Sequence, residues 1–245
     1  MSQWRLAEGL EAEAATLFAD LDRVFALEGQ WITGDPLSEV LRVECAGVHY
    51  YVKRYWGAGK GLRRWLGRPR VKAEWQNLKY FAKWGIPTAA LVGWGLERSC
   101  GAFRRGALIT RELANTMDLA AIAKQNDPRL ADARWVDGIS RQLASATRAL
   151  HDHHFAHNDL KWRNLLVNPA GELFFIDCPT GSFWWGPFLR YRIIKDLACL
   201  DKIASKVLSR SQRLRFYLQY RGRARLNTSD KRRVRQIVKF FEGRE

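Results

Sequence analysis

The spacing of apolar residues divides the chain into a strand-rich first part and a mainly helical second part. Apolar and polar positions alternate along residues 40–45 and 48–55, which predicts two strands joined by a turn at Ala46-Gly47. A short apolar run at residues 107–110 predicts another strand. Residues 4–27 carry apolar side chains at helical spacing, so we expect one or two amphipathic helices there.

Helical spacing continues at Trp75, Leu78 and Ala82 and becomes stronger in the second half of the chain. The first of these helices should end at Gly85-Ile86-Pro87, because glycine and proline both stop helices. Apolar residues at intervals of three and four predict four further helices, over residues 116–124, 135–152, 193–207 and 234–241.

One predicted hairpin interrupts this helical part. Residues 165–167 and 173–176 are apolar and flank Asn168-Pro169-Ala170-Gly171, a turn-forming sequence. Strands followed by helices with one inserted hairpin are typical of an α+β fold. We therefore predict two lobes, a small strand-rich N-terminal lobe over residues 1–112 and a helical C-terminal lobe over residues 113–245.

Composition narrows the class of protein. The 245 residues suffice for one sizeable domain or two small lobes, and 47% apolar with 27% charged residues is a globular composition. No apolar run is long enough to predict a membrane-spanning helix, and the acidic residues 1–13 do not resemble a signal peptide. The four cysteines lie far apart, so a zinc site or disulfide framework is not expected and a reducing cytoplasm is.

The net charge of +16 is concentrated in two segments. Residues 54–72 contain seven basic and no acidic residues, and residues 202–245 contain fourteen basic and three acidic residues. The rest of the chain is therefore close to neutral. Such segments suit a polyanion, which can be nucleic acid, an anionic membrane surface or a phosphorylated glycolipid; the alternative is a solvated basic surface.

The most informative segment starts at His157, between the predicted helix and the predicted hairpin. It reads H-N-D-L-K-W-R-N and contains H-x-D-x-K-x-x-N, which is typical of the catalytic loop of protein-kinase-like enzymes. The hairpin is followed by Asp177, where those enzymes carry a metal-binding aspartate. This order favours phosphoryl transfer over the alternative that Asp159 and Asn164 only cap turns.

Phosphoryl transfer assigns a role to each of these side chains. Asp159 can accept or orient the proton of an acceptor hydroxyl, and Lys161 can neutralise charge on the transferred phosphoryl group. Asn164 and Asp177 offer the oxygen ligands that Mg²⁺ prefers. We therefore predict Asp159 and Lys161 as catalytic residues and Asn164 and Asp177 as metal ligands.

Residues upstream of the loop are candidates for binding a nucleotide. Lys53 lies within a predicted strand and can reach the α- and β-phosphates, while Glu74 on the following helix is its expected partner. The alternative is a surface lysine on an edge strand and a glutamate favoured by the helix dipole. Residues 108–113 have the character of a hinge between lobes, so the backbone at Glu112 and Leu113 is a candidate for binding adenine.

Three features depart from a regulated protein kinase. No G-x-G-x-x-G precedes the lysine strand, and the expected phosphate-covering turn at residues 33–38 contains one glycine, Gly34. Asn158 stands where an arginine usually serves a phosphorylated activation loop. The metal motif reads Asp177-Cys178-Pro179 and lacks the switchable phenylalanine. These features predict a constitutive kinase of small molecules or glycans.

These motifs resemble the lipopolysaccharide core kinase family of Gram-negative bacteria, protein-kinase-like enzymes that phosphorylate heptose or Kdo in the inner core. The resemblance covers about residues 30–205, and Asp196 matches a later helix of the family whose aspartate braces the catalytic loop. The motifs that carry it are Val52-Lys53-Arg54-Tyr55, Glu74-Trp75, Ile109-Thr110-Arg111-Glu112-Leu113, His157-Asn158-Asp159-Leu160-Lys161 with Asn164, Phe175-Ile176-Asp177 and Lys195-Asp196-Leu197-Ala198.

The resemblance implies an ATP-dependent kinase that uses Mg²⁺ and accepts the core glycolipid of lipopolysaccharide as its substrate. It also implies a cytoplasmic enzyme held peripherally on the anionic inner membrane, for which residues 54–72 and 202–245 are suited. Nucleic acid is an unlikely partner, because the basic tail lacks the aromatic and glycine pattern of an RNA-recognition sheet and the ligands of a zinc finger.

Two alternatives remain open. Another kinase-fold phosphotransferase, acting on a small molecule or a protein, would share the catalytic loop, although acidic pockets for cationic drugs fit a charge of +16 poorly. A non-catalytic docking module that binds through the basic tail would be expected to lack one of the catalytic groups, yet all are present. The aromatic residues 183–189 either face the acceptor or pack between lobes.

Overall fold

The computed structural model describes residues 2–58 and 67–243, and the chain divides into two compact units. The first unit comprises Met1–Tyr80 and Ala89–Leu113, and the second comprises Phe81–Thr88 and Ala114–Glu245. Part of the first basic segment, including Lys60, Arg63 and Arg64, lies outside the described residues.

The first unit is built on one antiparallel sheet of six strands in the order β1-β5-β6-β4-β3-β2. Its strands are β1 (Ser2–Leu6), β2 (Gln30–Asp35), β3 (Ser38–Cys45), β4 (Val48–Tyr55), β5 (Leu91–Ser99) and β6 (Ala102–Arg111). Two short helices, α1 (Ala12–Leu17) and α2 (Leu21–Ala26), pack on this sheet, and α3 (Arg70–Lys83) carries the chain towards the second unit. The alternation that predicted β3 and β4 is confirmed, as is the helix that begins before Trp75.

The prediction of helix from residue 4 is wrong, because the chain forms β1 before it turns into α1. Strand β1 pairs along β5, with Leu6 opposite Gly93. A side chain at Gly95 would place its Cβ only 2.0 Å from the Gln3 carbonyl oxygen, so this glycine allows the close approach of β1. The Trp4 indole also donates to the Phe18 carbonyl at 2.8 Å, which ties the strand to the end of α1.

The predicted turn at residues 33–38 is shorter in the structure, because β2 runs through Asp35 and β3 begins at Ser38. The Asp35 carboxylate accepts from the Leu37 amide at 2.8 Å and from the Ser38 hydroxyl at 3.1 Å. These bonds close a two-residue hairpin at Pro36 and Leu37. Gly34 therefore lies within β2, opposite Glu39, and not in the turn.

The second unit is mainly helical. Its helices are α4 (Leu119–Lys124), α5 (Ala133–Asp152), α6 (Gly186–Val207), α7 (Arg210–Arg221) and α8 (Thr228–Val238), with single turns of 3-10 helix at Pro128–Ala131 and Trp162–Asn164. Two small sheets complete it, one formed by β7 (Met117–Asp118), β9 (Leu165–Val167) and β10 (Leu173–Phe175), the other by β8 (Phe155–Ala156) and β11 (Ser182–Phe183). The predicted hairpin is confirmed as β9 and β10.

Helices α5, α6, α7 and α8 share one buried core. Its fully or nearly buried members are Ala144, Leu197, Ala198, Tyr217, Tyr220 and Ile237. Apolar spacing did not predict α7, because basic residues dominate its sequence. Its ends do carry recognisable signals, a capping box between Ser209 and Gln212 and a left-handed Gly222 with φ of 59°.

None of the helices among the described residues is both long and apolar enough to cross a bilayer.

Candidate active site

The loop after β8 brings three of the predicted site residues together. The Lys161 ammonium lies 2.5 Å from Oδ1 of Asp159, and the Lys161 amide donates to the Asp159 carbonyl at 2.9 Å. The Arg163 guanidinium lies 3.6 Å from the second carboxylate oxygen. The Asp159 side chain is 28% exposed and that of Lys161 45%, so this carboxylate can be reached by a substrate while cations hold it ionised.

Asn164 is held so that its side-chain oxygen is the atom suited to a cation. Its Nδ2 donates to the Asp159 carbonyl at 2.9 Å, which leaves Oδ1 as the acceptor end of the amide. The Ile176 amide donates to the Asn164 carbonyl at 3.0 Å and so fixes the residue before Asp177 against the loop. Asp177 itself has φ of 56°. An amide oxygen and a carboxylate are ligands that Mg²⁺ prefers.

The whole loop is suspended from Asp196 on α6. The carboxylate of Asp196 is fully buried and accepts from the His157 amide at 2.7 Å and from the Asn158 amide at 2.8 Å. On its other side it faces Nε2 of His151 at 3.4 Å, and Nδ1 of that ring lies 2.9 Å from the Tyr220 hydroxyl. The predicted bracing aspartate is therefore confirmed, with two further buried partners.

His157 of the motif has a structural role here. The side chain is fully buried and stacks on Phe81 with ring centroids 6.1 Å apart. Neither ring nitrogen has a hydrogen-bond partner among the residues that the structure describes. Burial lowers the pKa of His157, so the ring is neutral and packs as an aromatic side chain below the loop.

In the first unit, Lys53 and Glu74 form the predicted ion pair. The Lys53 ammonium lies 2.9 Å from Oε1 of Glu74, and both side chains are largely buried. The Tyr55 hydroxyl donates to the other carboxylate oxygen. Burial, and then the Glu74 charge, raise the pKa of Tyr55 well above its ordinary value. Lys53 is not on an edge strand, because β4 lies between β3 and β6.

Comparison with known proteins agrees with this geometry. Residues 28–220 match the model of the lipopolysaccharide kinase (Kdo/WaaP) family, which is well over half of the chain. The chain belongs to this family. The resemblance inferred from the catalytic loop and the lysine strand is thereby confirmed.

Two curated relatives illustrate the similarity. The 3-deoxy-D-manno-octulosonic acid kinase of Haemophilus influenzae strain PittEE is 28% identical over 154 residues, covering 58% of this chain and 61% of the relative. The lipopolysaccharide core heptose(I) kinase WaaP of Pseudomonas aeruginosa is 28% identical over 214 residues, covering 81% of this chain and 79% of the relative. The match thus spans about three fifths of the first relative's length and about four fifths of the second's.

A solved structure of WaaP in complex with acyl carrier protein has the same fold. It aligns with a TM-score of 0.78 at 23% identity, covering 99% of this chain and 97% of that chain. The α+β, protein-kinase-like fold predicted from the sequence is therefore confirmed.

In this family member, the two nucleotide candidates outside the ion pair have structural partners of their own. A Cβ at Gly34 would lie 3.2 Å from the Ser38 carbonyl oxygen, so its lack of a side chain serves the hairpin directly. The Glu112 carboxylate accepts both guanidinium bonds of Arg42, at 2.8 and 2.9 Å, and its amide donates to the His49 carbonyl. At Glu112, the backbone carbonyl is therefore the group left to contact a base.

Sequence reasoning missed the residues that position the loop from a distance. The Arg192 guanidinium donates to Oδ1 of Asn158 at 3.3 Å, and Nδ2 of Asn158 donates to the Thr180 carbonyl at 2.9 Å. Tyr55 and His151 were likewise not predicted as partners of Glu74 and Asp196. No local signal in the sequence marks these pairs, since their members are separated by many residues.

The second unit also contains an apolar cavity of about 530 Å³. Its lining includes Ile139 and Leu143 of α5, Leu200 and Ala204 of α6, and Val234 of α8. The Asp201 carboxylate, bonded to Arg213 at 2.7 and 2.6 Å, is among the few charged groups at the cavity. A cavity of this size and lining suits an apolar ligand.

Proposed function

We propose that this protein is an ATP-dependent kinase that transfers the γ-phosphoryl group to a sugar hydroxyl, of heptose or Kdo, in the lipopolysaccharide inner core. The observation that supports this most is the Asp159, Lys161 and Asn164 cluster, braced by Asp196, in a member of the Kdo/WaaP family. The ion pair between Lys53 and Glu74 in the first unit agrees with it.

In the proposed reaction, the acceptor oxygen attacks the γ-phosphorus, the bond to the leaving ADP oxygen breaks, and the hydroxyl proton passes to Asp159. The Asp159 carboxylate is suited to this step because it is accessible and ringed by cations that favour its ionised form. Lys161 would neutralise charge on the transferred group. Oδ1 of Asn164 and the Asp177 carboxylate would hold Mg²⁺, which supplies charge neutralisation at the phosphates.

The nucleotide contacts belong to the same proposal. Lys53, fixed by Glu74, would bind the α- and β-phosphates. The Glu112 carbonyl and the Leu113 backbone would contact adenine, and the hairpin that includes Gly34 would cover the phosphates. These assignments extend the predictions made from the sequence.

The direct test measures label transfer from ATP, with Mg²⁺, to dephosphorylated lipopolysaccharide core. Asp159→Asn should lower the rate by about a hundredfold to ten-thousandfold, since it removes a general base without changing the shape of the side chain. Asp152→Asn is the matched control, because Asp152 is an exposed acid at the end of α5. Full activity of Asp159→Asn would refute the assignment of the base.

A second pair of variants tests the nucleotide role. Lys53→Met should raise the KM for ATP strongly, whereas Lys83→Met, an exposed lysine at the end of α3, should not. If the wild type binds ATP but transfers nothing to the glycolipid, another acceptor class is favoured. If it binds no ATP at all, the docking-module alternative is favoured.

We infer that the membrane surface is a further partner, as the charge distribution suggested. Helices α7 and α8 present many exposed basic side chains, among them Arg210, Arg215, Lys231, Arg232 and Arg235. Basic residues near an anionic leaflet contribute about 1 kcal/mol each, and salt weakens this attraction. Vesicle binding that persists undiminished at high salt would contradict this role.

We also propose an acyl carrier protein as a partner, by similarity to the solved WaaP complex. The observation that favours it is the apolar cavity of the second unit, which is large enough for part of an acyl chain. Acyl carrier protein bearing a long acyl chain should raise the melting temperature, and the same carrier without the chain should not. Ala204→Phe, which fills the cavity, should abolish this stabilisation; an unchanged response would refute the proposal.

A further inference from the structure

The aromatic residues at the start of α6 are exposed on one face of the helix. Trp185 is 63% exposed, Phe188 70% and Tyr191 47%. A helix turns by about 100° per residue, so side chains at intervals of three lie within an arc of about 120°. Single exposed apolar residues are ordinary, but three on one helix face mark an interaction surface.

The charges on this face are all positive. Residues 178–195 contain no acidic residue, and Arg192 and Lys195 fall on the same arc as the three rings. The Arg192 guanidinium lies 4.5 Å from the centroid of the Trp184 ring and 5.8 Å from that of Tyr191. Rings mixed with cations match the boundary between headgroups and acyl chains of an anionic lipid layer.

The same segment is bonded directly to the catalytic loop. Arg192 donates to the side chain of Asn158, the residue before Asp159. Strand β11 pairs with β8, and the Trp184 amide donates to the His154 carbonyl at 2.9 Å. Whatever binds the exposed rings is therefore held close to the proposed base.

We propose that this α6 face, formed by Trp185, Phe188, Tyr191, Arg192 and Lys195, docks on the anionic glycolipid layer that carries the acceptor sugar. The rings enter the interface between headgroups and acyl chains, and the cations bind lipid phosphates. The inference rests on the proposed function for the identity of the acceptor, and positive charge without acid selects an anionic lipid surface.

The test compares binding to vesicles of phosphatidylcholine with and without phosphatidylglycerol. The double variant Trp185→Ala/Phe188→Ala should bind anionic vesicles at least about tenfold more weakly than wild type. The matched control is Trp31→Ala/Ile32→Ala, which removes two exposed apolar side chains from β2. Equal binding by the two double variants, or no vesicle binding by the wild type, would overturn the proposal.

A kinetic readout separates this docking from the chemistry. The α6-face variant should lose kcat/KM for glycolipid embedded in vesicles and keep it for the water-soluble, deacylated core oligosaccharide. Equal loss on both acceptors would overturn docking and indicate damage to the catalytic loop. Loss of vesicle binding in a wild type that transfers no phosphate to either acceptor would support the surface while refuting the proposed function.

A second, independent observation concerns Arg70 in the first unit. The hairpin between β2 and β3 has few donors for phosphate, because Pro36 has no N–H and the Leu37 amide is donated to Asp35. The Arg70 guanidinium lies 2.9 Å from the other oxygen of Asp35. Its carbon is 5.9 Å from the centroid of the Tyr55 ring, and the Lys53 ammonium is 5.7 Å from the same centroid.

Two cations thus approach one ring, and one of them is held by an acid at the hairpin. We infer that Arg70 exchanges Asp35 for a nucleotide phosphate and supplies the contact that a glycine-rich loop would otherwise make. Arginine is suited to this because its planar guanidinium binds phosphate through two parallel hydrogen bonds. This inference also rests on the proposed function.

Two variants break the same ion pair and give opposite expectations. Arg70→Met should raise the Kd for ATP at least about tenfold, while Asp35→Asn should leave it unchanged or lower it. Binding of adenosine should be the same for both variants. Similar weakening of ATP binding by both would overturn the inference and show a purely structural pair. A wild type that binds no ATP would refute the proposed function together with it.

Discussion

The bracing of the catalytic loop by Asp196 leads to a prediction about an isosteric change. Each carboxylate oxygen of Asp196 accepts one backbone N–H, from His157 at 2.7 Å and from Asn158 at 2.8 Å. In Asp196→Asn, one of the two positions becomes an NH₂ group that faces an N–H donor. Rotating the amide does not help, because both positions face donors.

The magnitude follows from the burial of this group. A hydrogen bond to a charged acceptor contributes about 1.5–3 kcal/mol, and a buried donor without a partner costs about 1–3 kcal/mol. Asp196 is fully buried, so solvent does not replace the lost bond. We expect Asp196→Asn to lower the free energy of unfolding by about 2–4 kcal/mol, which corresponds to about 5–15 °C in melting temperature.

Calorimetry of the two proteins measures this difference, and phosphate transfer should fall as well because the loop loses an anchor. The control is Asp152→Asn, whose carboxylate is 69% exposed and pairs with Arg148 at 3.4 Å. That change should stay within about 0.5 kcal/mol of wild type. Equal melting temperatures for the two variants would refute the argument that the buried carboxylate holds the loop.

Three further predictions concern other parts of the chain. Tyr55→Phe removes a buried hydroxyl bonded to a carboxylate and should cost about 1–3 kcal/mol in urea unfolding; an unchanged midpoint would contradict that bond. The bonds from Arg42 lower the pKa of Glu112, so the stability lost in Glu112→Gln should be present at neutral pH and vanish as the pH falls through that lowered pKa, as pH-dependent unfolding would show. Iodoacetamide at about pH 8 should label the exposed Cys100 first, since burial raises the pKa of Cys199 to about 11; mass spectrometry showing rapid labelling of Cys199 would contradict its burial.

The site divides into residues that were predictable and residues that were not. The H-x-D-x-K-x-x-N order indicated Asp159, Lys161 and Asn164, because the chemistry fixes their types and the loop fixes their spacing. The partners Tyr55, His151 and Arg192 carry no such pattern. Each contacts its target across many intervening residues, so only the folded chain identifies it.

The same contrast holds for the fold. Amphipathic spacing determined β3, β4 and α5, because a half-buried strand or helix needs apolar residues at its own period. It failed for β1, where residues with helical spacing form a strand because Gly95 leaves room for the chain beside β5. It also failed for α7, which tertiary packing and end caps stabilise despite a largely basic sequence.

The sequence by itself thus determined the family, the catalytic loop and the two concentrations of positive charge, since these depend on residue type and local order. Only the tertiary structure decided that Asp196 carries the loop and that Arg70 is bonded to Asp35. It also decided that the rings at the start of α6 are exposed. The physical reason is that burial and long-range hydrogen bonding depend on distances between segments, which no local pattern specifies.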